Sequence, residues 1–286
     1  MPKTGSTARP AAKKNNSKPP TAAPSRDGKK PVASAPTKDS AKPAAVSSGS
    51  SLEIKDTRTS KTYSVPIVEG AIRAPELKKI RTSDPNDTGL MSYDPAFLNT
   101  ASCRSAITFI DGDKGILRYR GYPIEQLAET ATFLEVAWLL RHGELPNQQE
   151  YDQFVHDITF HTYVHENMRK FLEGFRYDAH PMAMLNSSVA GLSAFYPSAR
   201  NIFDETERNI SIVRLLAKTP TIAAFSYRHV KGLPFVYPDN RLSYVENFLS
   251  MIARMSESKY EANPVFARAL EILFILHADH EQNCST

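Results

Sequence analysis

The densest run of reactive side chains is His277-Ala-Asp279-His280-Glu281-Gln-Asn283, which follows the unbroken apolar stretch Ile272-Leu-Phe-Ile-Leu276. A helix that is apolar on every face is expected to be buried all round. Two imidazoles, two carboxylates and two amides at its C-terminal end are then costly unless each finds a partner. Three chemistries fit these residue types. The groups satisfy one another and the neighbouring loops; or His277, Asp279 and His280 ligate a metal; or a histidine at the helix C-terminus, where the dipole favours positive charge, receives an anionic substrate. Residue types alone leave all three open.

A second pair of imidazoles lies in His161-Thr-Tyr-Val-His165, one turn apart on an expected helix and so compatible with zinc. The glutamate that a metalloprotease helix places between its histidines is absent, Glu166 follows the second one instead, and His156 is close by. A surface histidine cluster is expected there, and no metal site. The acidic turn Asp111-Gly-Asp-Lys114 fails as a calcium loop: Gly115 takes the fifth position, where a ligand is needed, and no glutamate closes the loop at the twelfth.

The elements that must position these groups change character along the chain. Leu52-Glu-Ile-Lys55 alternates and Tyr63-Ser-Val-Pro-Ile-Val68 is rich in strand formers, predicting two short strands before an irregular segment through Asp94-Pro95. Ile107-Thr-Phe-Ile110 and Gly115-Ile-Leu-Arg-Tyr119 then predict a hairpin across the acidic turn. From Pro123 the period becomes helical: Ile124, Leu127, Ala128, Ala131, Leu134 and Trp138 recur at helical spacing, predicting one run that stops at His142-Gly143. Asn147 with Glu150, and Ser243 with Glu246, have the spacing of capping boxes. Pro220 and Pro264 each suit the first turn of a helix, where the missing N–H costs nothing. Asn263 is the expected cap of a final helix running from Pro264 to about His280. Nothing repeats at a fixed period, which excludes a solenoid.

The formal charge of +4 is unevenly placed. Residues 1–51 carry ten Lys or Arg against two Asp, a surplus of eight, which leaves 25 basic and 29 acidic residues for the rest. That first segment contains no Leu, Ile, Phe, Tyr or Trp and is built from Pro, Ala, Ser, Lys and Thr. It cannot bury enough apolar surface to offset the entropy of ordering, so a disordered tail is expected over 1–51. The remainder is mildly acidic and gives no basic face for nucleic acid. No apolar run reaches the length of a membrane span, and the N-terminus has no signal-peptide core. Two cysteines far apart, Cys103 and Cys284, suit a reducing compartment. The residues thus predict a cytoplasmic, mainly α protein in three parts: the tail at 1–51, a small β-containing segment at 52–122, and a helical domain at 123–286.

Leu276-His-Ala-Asp-His-Glu-Gln-Asn283, ending an apolar helix, closely resembles the citrate synthase family in the form common in Gram-negative bacteria. Thr100-Ala-Ser-Cys103, Ile107-Thr-Phe-Ile-Asp-Gly-Asp113, Gly115-Ile-Leu-Arg-Tyr-Arg-Gly-Tyr-Pro-Ile124, His180-Pro-Met-Ala-Met184, Phe235-Val-Tyr-Pro238, Leu242-Ser-Tyr244 and Asn247-Phe-Leu249 resemble family segments in family order. Together they extend over roughly residues 52–286 and are specific in a way that one short motif is not.

The resemblance implies a citrate synthase-like helical large domain, within a two-domain enzyme that condenses oxaloacetate with acetyl-CoA and releases citrate and CoA. That reaction asks for a carboxylate to take the acetyl methyl proton, a histidine to polarise the thioester carbonyl and another to polarise the ketone. By resemblance His280 contacts oxaloacetate, Asn283 falls on an adjacent substrate position, and His277 holds the helix end from behind. Asp279 and Glu281 are expected to be structural acceptors. The family's two catalytic histidines, its aspartate base, its substrate arginines and its small domain fall beyond residue 286, so no catalytic residue is expected within this chain. No cofactor is implied, since acetyl-CoA enters as a substrate, and the full-length form is expected to be a dimeric or hexameric homo-oligomer.

The hexameric bacterial form also has an NADH-inhibited site. Tyr196, Arg214, Lys218, His161 and Thr162 match it, while Phe160 replaces a basic residue and Glu257 stands where a reactive cysteine is found. Weak NADH sensitivity is expected. Three rivals remain: a methylcitrate synthase using propionyl-CoA, a non-catalytic subunit acting by assembly with a complete partner, and a metal-dependent hydrolase built on His277, Asp279 and His280.

Overall fold

A computed structural model describes residues 49–280. The expected tail up to residue 48, and Glu281, Asn283 and Cys284 at the other end, lie outside the described residues. The strand β1 (Ser51–Asp56) pairs antiparallel with β2 (Lys61–Val68), placing Ile54 opposite Tyr63, and β3 (Ala71–Ile72) adds a short third strand. A single helical turn, α1 (Ala74–Leu77), leads into a loop folded closely back on it. Gly89 is obligatory in that loop: its φ is +90°, and a Cβ there would stand 2.2 Å from the carbonyl oxygen of Lys78.

The second sheet is the expected hairpin. β4 (Thr108–Asp111) pairs antiparallel with β5 (Ile116–Tyr119), with Thr108 opposite Tyr119, and β6 (Tyr122–Pro123) continues the meander. Arg120 and Gly121, at φ +52° and +90°, form the tight turn between β5 and β6.

Helices follow: α2 (Ile124–Thr130), α3 (Phe133–His142), α4 (Gln148–Thr159), α5 (Glu166–Glu173), α6 (Pro181–Phe195), α7 (Glu205–Val230), α8 (Tyr244–Ala253) and α9 (Pro264–Leu276). The mainly helical class with a small β entry is as predicted. Three apolar clusters form the core. Tyr119, Tyr122, Leu127, Val136, Leu139 and Ile275 join the hairpin to α2, α3 and α9. Leu134, Phe154, Ile158, Val213 and Ala217 bind α3 and α4 to α7. Met168, Leu172, Met184, Leu192, Ile222 and Phe225 bind α5 and α6 to α7.

Five local expectations are corrected. The run from Pro123 to His142 is two helices, because Thr132 is an N-cap: its hydroxyl accepts from the Glu135 amide while Glu135 accepts from the Thr132 amide. Pro220 does not begin a helix but sits inside the 26-residue α7. Its missing N–H would orphan the Leu216 carbonyl one turn earlier, and the Tyr244 hydroxyl donates to that oxygen at 2.9 Å. His161 and His165 do not share a helix, since α4 ends at Thr159 and His165 caps α5, its Nδ1 accepting from the Asn167 amide. α9 stops at Leu276 rather than His280. Nor is its apolar run buried all round: Ile275 is fully buried, but Leu273 is 50% exposed and Leu276 39%.

Candidate functional site

α9 presents the candidate cluster, and its position is fixed by charged groups as much as by packing. Asn263 caps its start, accepting from the Val265 and Phe266 amides. Arg268 then donates to the carbonyls of Ala128, Glu129 and Ala131 at the C-terminus of α2. One turn on, Glu271 accepts from the Phe133 amide at the start of α3, at 2.8 Å. A cation thus meets a helix C-terminus and an anion a helix N-terminus, the favourable sense for both dipoles. Neither side chain figured in the sequence reading. The Arg-x-x-Glu spacing was visible, but the α2–α3 break that it serves was not.

At the far end the chain turns sharply. His277 is exposed, and its Nδ1 lies 2.7 Å from the Leu273 carbonyl. A carbonyl only accepts, so Nδ1 carries the hydrogen and the ring closes the last turn of α9. Asp279 is half-buried and accepts from the Thr108 hydroxyl of β4. The Tyr119 hydroxyl of β5 donates to the Leu276 carbonyl at 3.3 Å. Burial raises the Tyr119 phenol; a hydrogen bond from the Asp279 backbone acts in the opposite direction, and the Asp279 charge adds to the rise. His280 is left exposed, with no hydrogen bond to another described residue. The arrangement can therefore present one imidazole to an incoming group while its neighbours hold the turn. Among the described residues no group of three or more His, Cys, Asp or Glu is close enough to grip a metal ion.

The second set of predicted residues also converges. Arg214 and Lys218 both face the Tyr196 ring, the guanidinium carbon at 4.4 Å from its centroid and the ammonium at 5.5 Å. Lys218 is buried and donates to the carbonyls of His161 at 2.6 Å and Tyr163 at 2.5 Å. Burial, reinforced by the Arg214 charge, lowers its amine to about 8. Thr162 is buried too, its hydroxyl 2.9 Å from the Asn240 side-chain oxygen and its carbonyl accepting from Thr221. Nε and Nη1 of Arg214 are shielded from solvent and have no hydrogen-bond partner among the described residues. Phe160 stands exposed against His156, and the Glu257 carboxylate accepts from the Met255 amide.

The family described as "Citrate synthase, C-terminal domain" matches residues 96–286. The chain is 52% identical over 243 residues to "Citrate synthase, peroxisomal" of Dictyostelium discoideum, covering 82% of this chain and 49% of that one. It is 53% identical over 199 residues to "Citrate synthase 1" of Mycobacterium tuberculosis, covering 70% and 46%. Among solved structures it resembles citrate synthase from Pyrobaculum aerophilum, with a TM-score of 0.60 and 30% identity over 71% of this chain and 51% of that chain. The chain spans about half the length of the curated relatives it matches.

Proposed function

Because the chain belongs to the citrate synthase family, we propose that the protein to which it contributes condenses oxaloacetate with acetyl-CoA and water to give citrate and CoA. The observation that carries the reading is the end of α9, where His280, which by resemblance matches the family's oxaloacetate histidine, is exposed while Thr108, Tyr119 and Leu273 hold its neighbours. His280 donates a hydrogen bond to bound oxaloacetate and helps hold it in the reacting orientation, while the histidines that polarise the ketone and the thioester come from the other half of the relatives' length. Asn283 contacts the same substrate, and His277 supports the turn. The groups that remove the acetyl proton and pair the substrate carboxylates come from the other half of the relatives' length. Acetyl-CoA is a substrate, and no cofactor takes part.

The test is release of CoA thiol, measured on the 286-residue chain and on the full-length protein with acetyl-CoA and with propionyl-CoA. Oxaloacetate-dependent release by the full-length protein alone, faster with acetyl-CoA, is the expected result. A preference for propionyl-CoA would make it a methylcitrate synthase, and citrate formed by the short chain would misplace the active site.

The full-length protein assembles as a homo-oligomer, a dimer or the hexamer of the Gram-negative type. Exposed apolar side chains such as Phe203 and Phe266 support association, and light scattering after gel filtration reads the number of subunits. NADH inhibition is weak. Lys218 spends its ammonium on two backbone carbonyls rather than offering it to a phosphate, and Phe160 supplies no charge. Sensitive inhibition abolished by Arg214→Ala would refute this. No helix among the described residues is long and apolar enough to cross a membrane. The proposed compartment is the cytoplasm; the name of the peroxisomal relative supports an organelle as the second reading, and cell fractionation separates the two.

A further inference from the structure

The last carbonyls of a helix have no intrahelical partner, and in α9 a β-hairpin reaches across to supply one. Tyr119 donates to Leu276, and Thr108 donates to Asp279 three residues later. These two donors are not independent. Thr108 and Tyr119 are directly opposed in the β4–β5 register, so a single rung of one hairpin grips both ends of the turn that leads to His280. Tyr119 is fully buried in the same cluster as Ile275, so the rung is packed against α9 as well as bonded to it.

The rung is fixed from its other side. Arg120 follows Tyr119 directly and adopts a left-handed conformation, φ +52°, that a residue with a long side chain rarely takes. Its amide donates to the Ile107 carbonyl at 2.6 Å. Its guanidinium donates to the Leu140 carbonyl near the end of α3, from Nε at 3.0 Å and Nη2 at 2.6 Å, and to the Ala106 carbonyl at 3.4 Å. The hairpin is thereby a brace between the C-terminal ends of two helices, α3 and α9. Among the described residues no hydrogen bond holds His280 itself, so its direction follows the turn on which it rides.

We propose that Thr108 and Tyr119 are positioning residues of the oxaloacetate site, and that the β4–β5 rung aims the His280 imidazole by fixing the turn from Leu276 to Asp279. This rests on the assignment of His280 as an oxaloacetate contact. Neither residue touches substrate. They act through the turn, so their loss misdirects an otherwise intact imidazole.

The test uses Thr108→Val, which keeps the side-chain shape and removes the donor, with Thr108→Ser, which keeps the donor, and Tyr119→Phe. Steady-state kinetics on the full-length protein should show kcat/KM for oxaloacetate falling roughly tenfold to a hundredfold in Thr108→Val. KM for acetyl-CoA and the melting temperature should stay near wild type, and Thr108→Ser should recover most of the loss. In the 286-residue chain, hydrogen exchange of the amides at 277–280 should quicken in Thr108→Val and Tyr119→Phe but not in Thr108→Ser. Unchanged exchange and unchanged oxaloacetate kinetics in Thr108→Val, while His280→Ala is impaired, would overturn the brace alone. Unchanged oxaloacetate kinetics in His280→Ala would overturn the assignment on which it rests. Equal losses toward both substrates with a lowered melting temperature would reduce the rung to a general support of the fold and overturn the proposal.

Discussion

Tyr244→Phe removes one oxygen and should reveal what allows a proline inside α7. In the wild type the Tyr244 hydroxyl donates to the Leu216 carbonyl, the acceptor that Pro220 leaves without its helical partner. The ring itself stays packed, stacked on Phe133 at 5.2 Å and edge-on to Phe274 at 6.3 Å, so the substitution deletes the hydrogen bond and little else. Leaving an acceptor unsatisfied in the interior costs about 1–3 kcal/mol. In a chain of this size each kcal/mol lowers the melting temperature by roughly 2–4 °C, so a fall of about 2–12 °C is expected. The decisive comparison is the same substitution in a Pro220→Ala background. That background restores an amide N–H for the Leu216 carbonyl, so Tyr244→Phe should then cost no more than about 0.5 kcal/mol. Thermal or urea unfolding of the four proteins gives the coupling energy. Equal losses in both backgrounds would show that the hydroxyl does not stand in for the missing amide.

Two further predictions follow from charge. His142 stacks on Trp138 at 3.7 Å, and burial, with help from Arg141, lowers its pKa from the usual 6.5. Trp138 is the only tryptophan, so its fluorescence should be quenched by the imidazolium with a midpoint below 6.5. Because the unfolded chain takes up that proton first, His142 should also reduce stability as the pH falls through the ordinary histidine range; a midpoint at or above 6.5 would refute both statements. Asp87 is held at about 2 by the amides of Thr82 and Gly89 and the Thr82 hydroxyl. Its folded value is depressed, so the stability it contributes is present above about 4 and lost as the pH falls toward 2. Asp87→Asn should flatten the acid limb of the stability curve in that window, and an unchanged limb would show that the loop does not depend on the carboxylate.

The sequence announced helix starts better than helix ends or interruptions. Asn147 with Glu150, Ser243 with Glu246, and Asn263 before Pro264 are local signals, and each caps the helix expected of it. Thr132 with Glu135 was equally local but lay inside a continuous apolar period, which hid the boundary between α2 and α3. Pro220 was misread for a different reason. The donor that makes it tolerable comes from Tyr244 on another helix, and no pattern near residue 220 reports it. The reactive cluster at the end of α9 stood out because polar groups follow a purely apolar run. The residues that hold it, Thr108 and Tyr119, are separated from it by 171 and 157 positions and become its neighbours only through the fold. The exposed Leu273 and Leu276 contradict burial on all sides because the described chain covers only one face of α9.

The central claim is that the end of α9 presents His280 to oxaloacetate, and the most direct measurement is the oxaloacetate kinetics of the full-length protein carrying His280→Ala. The imidazole binds and orients oxaloacetate, so kcat/KM for oxaloacetate should fall by roughly tenfold to a hundredfold. KM for acetyl-CoA should remain near wild type, as should the melting temperature, since His280 is exposed and bonded to no other described residue. Wild-type turnover of oxaloacetate in His280→Ala would contradict the account and move the substrate away from the end of α9.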